Sequence, residues 1–142
     1  MDMPADLSRF VDAQATVYPA ALAELRAGSK RTHWMWFIFP QIAGLGHSAM
    51  AQHYAIASAA EALAYLQHPV LGPRLRACTQ AVLDVEGRSA DQVFGSPDNM
   101  KFRSSMTLFG HVAPGEPMFA AALAKYFGGK ADDRTLELLA AG

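Results

Sequence analysis

Apolar residues recur at helical spacing along most of the chain, in segments bounded by residues typical of helix ends. The segment RFVDAQATV has this spacing after a capping Asp6, and Pro19 suits the first position of a second helix, PAALAELRA, that Gly28 ends. Ser58 and Glu61 have the spacing of a capping box. Further helices are predicted to begin near Pro73, Ser89, Ser96, Pro117, and Asp132 or Asp133.

Strand signals are sparse in the same pattern. No segment alternates with a period of two over more than a few residues, and no hairpin dipeptide lies between β-branched runs. The sequence therefore predicts an all-α fold, a compact single helical domain over residues 1–142 with about seven or eight short helices.

One apolar run, WMWFIF at residues 34–39, departs from the amphipathic pattern and contains both tryptophans. It can be a buried central element, with Trp34, Phe37 and Ile38 on one helical face. Alternatively, one wall of it lines a pocket, where Trp36 offers a stacking surface and the polar groups come from His33, Lys30 and Gln41.

The segment SPDNMKFRSSMTLFGH combines an apolar stripe with a polar side. Phe102, Met106 and Phe109 share one helical face and are predicted to be core, together with Trp34 and Phe37. The opposite side can be an ordinary solvated face or an anion site, and it carries Lys101, Arg103, Ser104 and Thr107. We expect its helix to pack on the aromatic run, with the main pocket at their junction.

Composition limits the function classes. The chain has 142 residues, 51% hydrophobic and 18% charged, which suits a folded core. A formal net charge of −1 argues against a general nucleic-acid binder. The chain shows neither a signal-like N-terminal segment nor an apolar run of about 20 residues, so we expect a cytoplasmic protein with no membrane partner.

Metal and cofactor signals are weak. The five histidines lack chelating spacing and the single cysteine, Cys78, falls mid-helix among apolar residues, so no metal and no cofactor are predicted. The segment GLGHSA fits the first part of a dinucleotide fingerprint, but no acidic residue ends a second strand about 20 residues later. A tight turn at Gly44 and Gly46 is the better interpretation.

Several segments together resemble a family of small, mostly bacterial proteins of unknown function, some of which are labelled calpastatin. They are DLSRFVDAQ, HWMWFIFPQIAGLGHS, YAI, HPVLGPRL, SADQVFGSPDNMKFRSSMTLF and KYFGG. The resemblance implies a compact helical domain and no particular activity. Ser29 stands where the family usually has a basic residue. The calpastatin label does not suit this chain, because inhibitor segments of that kind are polar and disordered whereas this chain is half apolar.

The residue pattern leaves two hypotheses. The first is a protein that binds a small anionic or nucleotide-like ligand, as an enzyme or otherwise, through His33, Trp36, Gln41, Lys101, Arg103 and Ser104. The second is a structural or protein-interaction module without catalysis, which would show a flat exposed apolar patch instead of a pocket.

Overall fold

The structure is a computed structural model and describes residues 6–141. In this part of the chain the regular elements are nine helices, which confirms the predicted all-α fold. They are α1 Ser8–Arg26, α2 Met35–Ile38, α3 Ala49–His53, α4 Ala59–Gln67, α5 Leu71–Asp84, α6 Ala90–Phe94, α7 Asp98–Val112, α8 Pro117–Phe127 and α9 Asp133–Ala141.

Two long helices, α5 and α7, form the centre of the fold. Helix α5 packs against α1, α2, α4 and α8, and α7 packs against α4, α6, α8 and α9. The predicted core face of α7 is confirmed, because Phe102, Met106 and Phe109 are fully buried. Ser104 and Thr107, on the side that could have been solvated, are also buried. Their hydroxyls donate to the carbonyls of Met100 and Arg103, which satisfies them inside the fold.

The sequence predicted several helix ends correctly. Ser89 and Gln92 form a complete capping box at α6, and Gly128 ends α8 in the left-handed conformation that glycine favours. The box at Ser58 is half formed: the Ser58 hydroxyl accepts from the Glu61 amide, while the Glu61 carboxylate accepts from the Ala57 amide instead.

The predicted helix boundary at Pro19 is wrong. Helix α1 runs through this residue from Ser8 to Arg26, although proline cannot donate to the carbonyl of Ala15 one turn earlier. Both Pro19 and Ala15 are exposed, so water can bond the carbonyl that proline leaves free. The position of the proline on the outer face therefore explains why it does not break the helix.

Two other helix starts differ from the prediction. Helix α5 begins at Leu71, two residues before Pro73, because the imidazole Nδ1 of His68 accepts from the amides of Val70 and Leu71. Ser96 makes no capping hydrogen bond at α7, and Pro97 occupies the position before the first helical residue.

The glycine-containing connection 43–55 forms a loop whose ends are joined. Ala43 donates to the carbonyl of Ile56, and Ile56 donates to that of Gln41, in an isolated parallel bridge. The guanidinium of Arg9 donates to the carbonyls of His53 and Ala55. These bonds fix the loop and the short helix α3 within it against the body of the protein, beside α2.

No helix among residues 6–141 is long and apolar enough to cross a membrane.

Candidate functional site

A groove of about 420 Å³ lies between α2, the 43–55 loop and the start of α7. This volume falls in the range of about 300–1,000 Å³ that small-molecule sites occupy. The groove is lined by Trp36, Gln41, Leu45, Gly46, His47, Ser48, Ala51, Pro97, Met100, Lys101, Ser104 and Asp132. A second cavity of about 110 Å³ shares the wall formed by Trp36, Gln41, Leu45, Gly46 and Ala51.

The aromatic run contributes both to the core and to one wall of the groove. Trp34 and Phe39 are fully buried, and the Phe39 ring packs edge-on against Phe102 of α7 with centroids 4.9 Å apart. Trp36 is only partly buried and reaches the groove. Trp34 and Phe39 therefore fit the interpretation of the run as a buried element, and Trp36 fits the interpretation as a pocket wall. Phe37, predicted as core, is only partly buried and packs against Tyr54.

Glu24 of α1 holds the segment that leads into the aromatic run. Its carboxylate accepts hydrogen bonds from the amides of Arg31 and Thr32, the hydroxyl of Thr32 and the indole N–H of Trp34, at 2.7–3.0 Å. Burial alone would raise the pKa of Glu24, but these four bonds favour the charged form and lower the pKa to about 2. The contact between α1 and this segment therefore depends on an ionised Glu24.

The ionisation of Glu24 should make the free energy of unfolding depend on pH. Since its folded pKa lies below the ordinary value of 4.5, its contribution is full above about pH 4.5 and is lost as the pH falls toward 2. Glu24→Gln should lower the free energy of unfolding at pH 7 by about 1–3 kcal/mol. The difference from the unsubstituted protein should shrink between pH 4.5 and pH 2. Urea unfolding followed by circular dichroism across this range measures it.

Glu137→Gln is the matched control, because the Glu137 side chain is 65% exposed and makes only a surface ion pair with Arg134. A Glu24→Gln difference that stays constant from pH 7 to pH 3 would contradict the assigned role of the carboxylate.

Two lysines share one carboxylate near the start of α7, at one end of the groove. Lys101 Nζ lies 3.3 Å from Asp98 Oδ1 and 4.2 Å from the centroid of the Trp36 ring. Lys30 Nζ lies 2.9 Å from Asp98 Oδ2, and its side chain is only 7% exposed. One negative charge between two positive ones leaves a positive excess, and Lys101 is the lysine of the two that lines the groove.

The other end of the groove presents hydrogen-bond acceptors. The Ser104 hydroxyl uses its hydrogen on the carbonyl of Met100, so it can only accept a further bond. The Asp132 amide donates to Thr107 Oγ1, and Asp132 Oδ2 caps α9 by accepting from the amide and hydroxyl of Thr135. Helix α7 thus fixes both a cationic group and an acceptor group on one wall.

Four of the six residues predicted from the sequence line the groove: Trp36, Gln41, Lys101 and Ser104. The expected packing of the α7 start on the aromatic run is confirmed by the contacts of Trp36 with Lys101 and of Phe39 with Phe102.

The other two predicted residues, His33 and Arg103, do not line it. His33 is exposed. Arg103 donates from Nε to the carbonyl of Lys130 and from Nη2 to that of Ala131, so it holds the connection between α8 and α9. Residues 101 and 103 lie about 200° apart around a helix of 3.6 residues per turn, which explains why both cannot face one groove.

Sequence reasoning missed the other eight lining residues, among them His47, Ser48, Met100 and Asp132. His47 and Ser48 follow the Gly-Leu-Gly turn, and Ser48 caps α3 by accepting from the Ala51 amide. Asp132 or Asp133 was predicted as a helix cap, and Asp132 is the residue that caps α9. The sequence signal was present in both cases, but only the tertiary structure shows that a cap can also face a groove.

Other reactive groups are embedded in the core. Cys78 is fully buried, as predicted, and burial raises the pKa of its thiol to about 12. Tyr65 is also fully buried and accepts a hydrogen bond from Gln14, and burial raises the pKa of its phenol. Among the residues that the structure describes, no group of three or more His, Cys, Asp or Glu residues is placed to hold a metal ion.

The sequence matches the family model described as a protein of unknown function, DUF1810, over residues 4–139, and the chain belongs to this family. The fold is similar to the crystal structure of a conserved hypothetical protein from Mycobacterium tuberculosis. That protein is 56% identical, with a TM-score of 0.95 over 97% of this chain and 99% of the other. No protein with a curated description matches the sequence. The family resemblance inferred from the sequence is therefore confirmed, and neither description mentions calpastatin.

Proposed function

We propose that this member of the DUF1810 family binds a small organic anion in the groove between α2 and α7. The observation that carries the proposal is Lys101, whose ammonium lies over Trp36 at the groove wall while it shares Asp98 with Lys30. Because Asp98 is divided between two lysines, an incoming carboxylate or phosphate would supply the negative charge that this end of the groove lacks.

The rest of the wall supports a ligand with an apolar body. Trp36, Leu45, Ala51 and Met100 contribute apolar surface between the polar groups of the two ends. A concave, largely apolar site with a few polar groups at fixed positions is the usual form of a small-molecule site. The proposed ligand is therefore an organic anion with a short apolar portion, rather than a bare inorganic ion.

A binding role is favoured over a catalytic one by the surroundings of Ser104. Its hydroxyl donates to a backbone carbonyl and not to a histidine or carboxylate, so it lacks the base that activates a serine nucleophile.

The alternative, an interaction module with a flat apolar face, has less support. The large apolar side chains exposed among residues 6–141 are Met50, Leu63, Met100 and Leu136, which belong to four different helices. Single exposed apolar residues are normal on a soluble domain. The groove, by contrast, concentrates apolar and charged groups at one place.

Isothermal titration calorimetry tests the proposal by measuring the affinities for hexanoate and for inorganic phosphate. Hexanoate should bind more tightly, and Lys101→Met should weaken its binding about tenfold or more, because a charge-assisted hydrogen bond contributes about 1.5–3 kcal/mol. Lys130→Met is the matched control: it removes the same charge from an exposed position that does not line the groove, and affinity should stay unchanged.

Equal hexanoate affinity in the unsubstituted protein and in Lys101→Met would refute the proposal. A loss of equal size in both lysine variants would also contradict it, since it would indicate general charge attraction.

The cytoplasmic location and the absence of nucleic-acid and membrane partners stay predictions from the sequence. Fractionation of cells that express the protein tests the first of them.

A further inference from the structure

We infer that the ligand of this groove is a zwitterion, with its anionic group at Lys101 and an ammonium or other N–H donor at Ser104 and Asp132. The inference rests on the proposed function and adds the second half of the ligand. One end of the groove presents a hydrogen-bond donor, Lys101, and the other presents acceptors, Ser104 and Asp132. A simple anion would use the donor and leave the acceptors without a partner.

The end of the groove at Lys101 is positively charged. Lys101 is the one ammonium among the described residues that line the groove. Lys30 pairs with the same carboxylate, Asp98, so this one negative charge is divided between two lysines. An ammonium donates hydrogen bonds and accepts none. A ligand group at this end must therefore be an acceptor, and a charged one gains most.

The opposite end accepts hydrogen bonds. Ser104 has used its hydroxyl hydrogen on Met100, so its outward lone pairs can only accept. Asp132 caps α9 through Oδ2, and its Oδ1 takes no hydrogen bond from any residue between 6 and 141. A carboxylate oxygen with an open lone pair and a hydroxyl that can only accept line the same groove, and together they suit a protonated amine.

Hydrogen bonds of the backbone to α7 fix the position of Asp132. Its amide donates to Thr107 Oγ1 at 2.8 Å, and Thr107 in turn donates to the carbonyl of Arg103 in the same helix. Arg103 also holds the carbonyls of Lys130 and Ala131, directly before Asp132. The backbone from residue 130 to the amide of Asp132 is thus bonded to α7 at three points, which fixes where the carboxylate lies relative to Lys101.

Helix geometry gives the approximate length of the ligand. Lys101 and Ser104 are three residues apart on α7, which is about 4.5 Å along the helix axis. Thr107, to which the amide of Asp132 is bonded, lies about 9 Å from Lys101 along the same axis. A carboxylate and an ammonium separated by roughly 5–9 Å would reach both ends. This spacing favours ω-amino carboxylates with several methylenes over α-amino acids, whose two charges are adjacent.

The experiment compares three compounds of matched length by isothermal titration: 6-aminohexanoate, hexanoate and hexylamine. The unsubstituted protein should bind 6-aminohexanoate about tenfold more tightly than hexanoate, and hexylamine more weakly than either. Asp132→Asn should remove that preference, because 6-aminohexanoate then loses the carboxylate partner of its ammonium, a group that hexanoate lacks. Asparagine is as good a helix cap as aspartate, so α9 should remain, and an unchanged melting temperature would verify this. Ser104→Ala should reduce the preference by a smaller factor.

The outcomes test the anion site and the zwitterionic ligand separately. Equal affinity for 6-aminohexanoate and hexanoate in the unsubstituted protein overturns the zwitterion and leaves the anion site standing. A preference that persists in Asp132→Asn also overturns it. The anion site itself fails if Lys101→Met binds hexanoate as the unsubstituted protein does, and both fail if hexylamine binds most tightly of the three.

Discussion

Phe102→Ala should lower the free energy of unfolding by about 3–5 kcal/mol, the usual cost of truncating a buried phenylalanine. Phe102 is fully buried, and its ring lies 4.6 Å from that of Phe94 and 4.9 Å from that of Phe39, measured between centroids. It thereby joins α6, α7 and the aromatic run, so alanine would leave a cavity where these three elements meet. Urea unfolding followed by circular dichroism measures the change.

Met100→Ala provides the control for Phe102→Ala. It lies on the same helix, but its side chain is 44% exposed, so the change in stability should stay below about 0.5 kcal/mol. A Phe102→Ala cost as small as that of Met100→Ala would mean that the packing of α7 on the aromatic run contributes little, against the present account of the fold.

Gly72→Ala should also destabilise strongly, through crowding instead of a cavity. A Cβ at this position would lie 2.1 Å from the carbonyl oxygen of Leu66 and 2.8 Å from Nη1 of Arg76. The Leu66 carbonyl itself accepts from Arg76 at 3.2 Å, so the methyl group would push apart a bonded pair. Since the nearest atom belongs to the backbone of α4, the strain cannot be relieved by a rotamer change, and we expect a loss of about 2–3 kcal/mol or more.

Gly115→Ala is the matched control, because no heavy atom beyond its two chain neighbours lies within 4 Å of the added Cβ and the backbone does not have a positive φ. It should be neutral or stabilise by up to about 1 kcal/mol, by restricting the unfolded chain. Equal melting temperatures for the two alanine variants would contradict the close approach of α4 and α5.

Local signals in the sequence predicted most of the fold. Caps such as Ser89 and Gly128 act through their own neighbours in the chain, so the residues that form them are visible in the sequence. Pro19 shows the limit of such reasoning: whether a proline ends a helix depends on whether its freed carbonyl meets water, which is a property of the tertiary structure.

The candidate site was only partly predictable for a related reason. Lys101 and Ser104 are three residues apart and share a helical face, so the sequence could place them together. Arg103 carries the same charge as Lys101 but projects elsewhere, to the carbonyls of residues 130 and 131. Asp132 is held at the groove partly by the bond from its amide to Thr107, a contact between residues 25 positions apart that no local pattern indicates.

The central claim, that the groove at Trp36 and Lys101 binds an organic anion, can be tested by one titration. The chain has two tryptophans and therefore two indole N–H signals in a nitrogen–proton correlation spectrum, which Trp36→Phe assigns. The Trp34 indole is bonded to Glu24 and should not move when hexanoate is added, whereas the Trp36 signal should shift and saturate. A Trp36 signal that stays fixed while hexanoate binding saturates would contradict the claim.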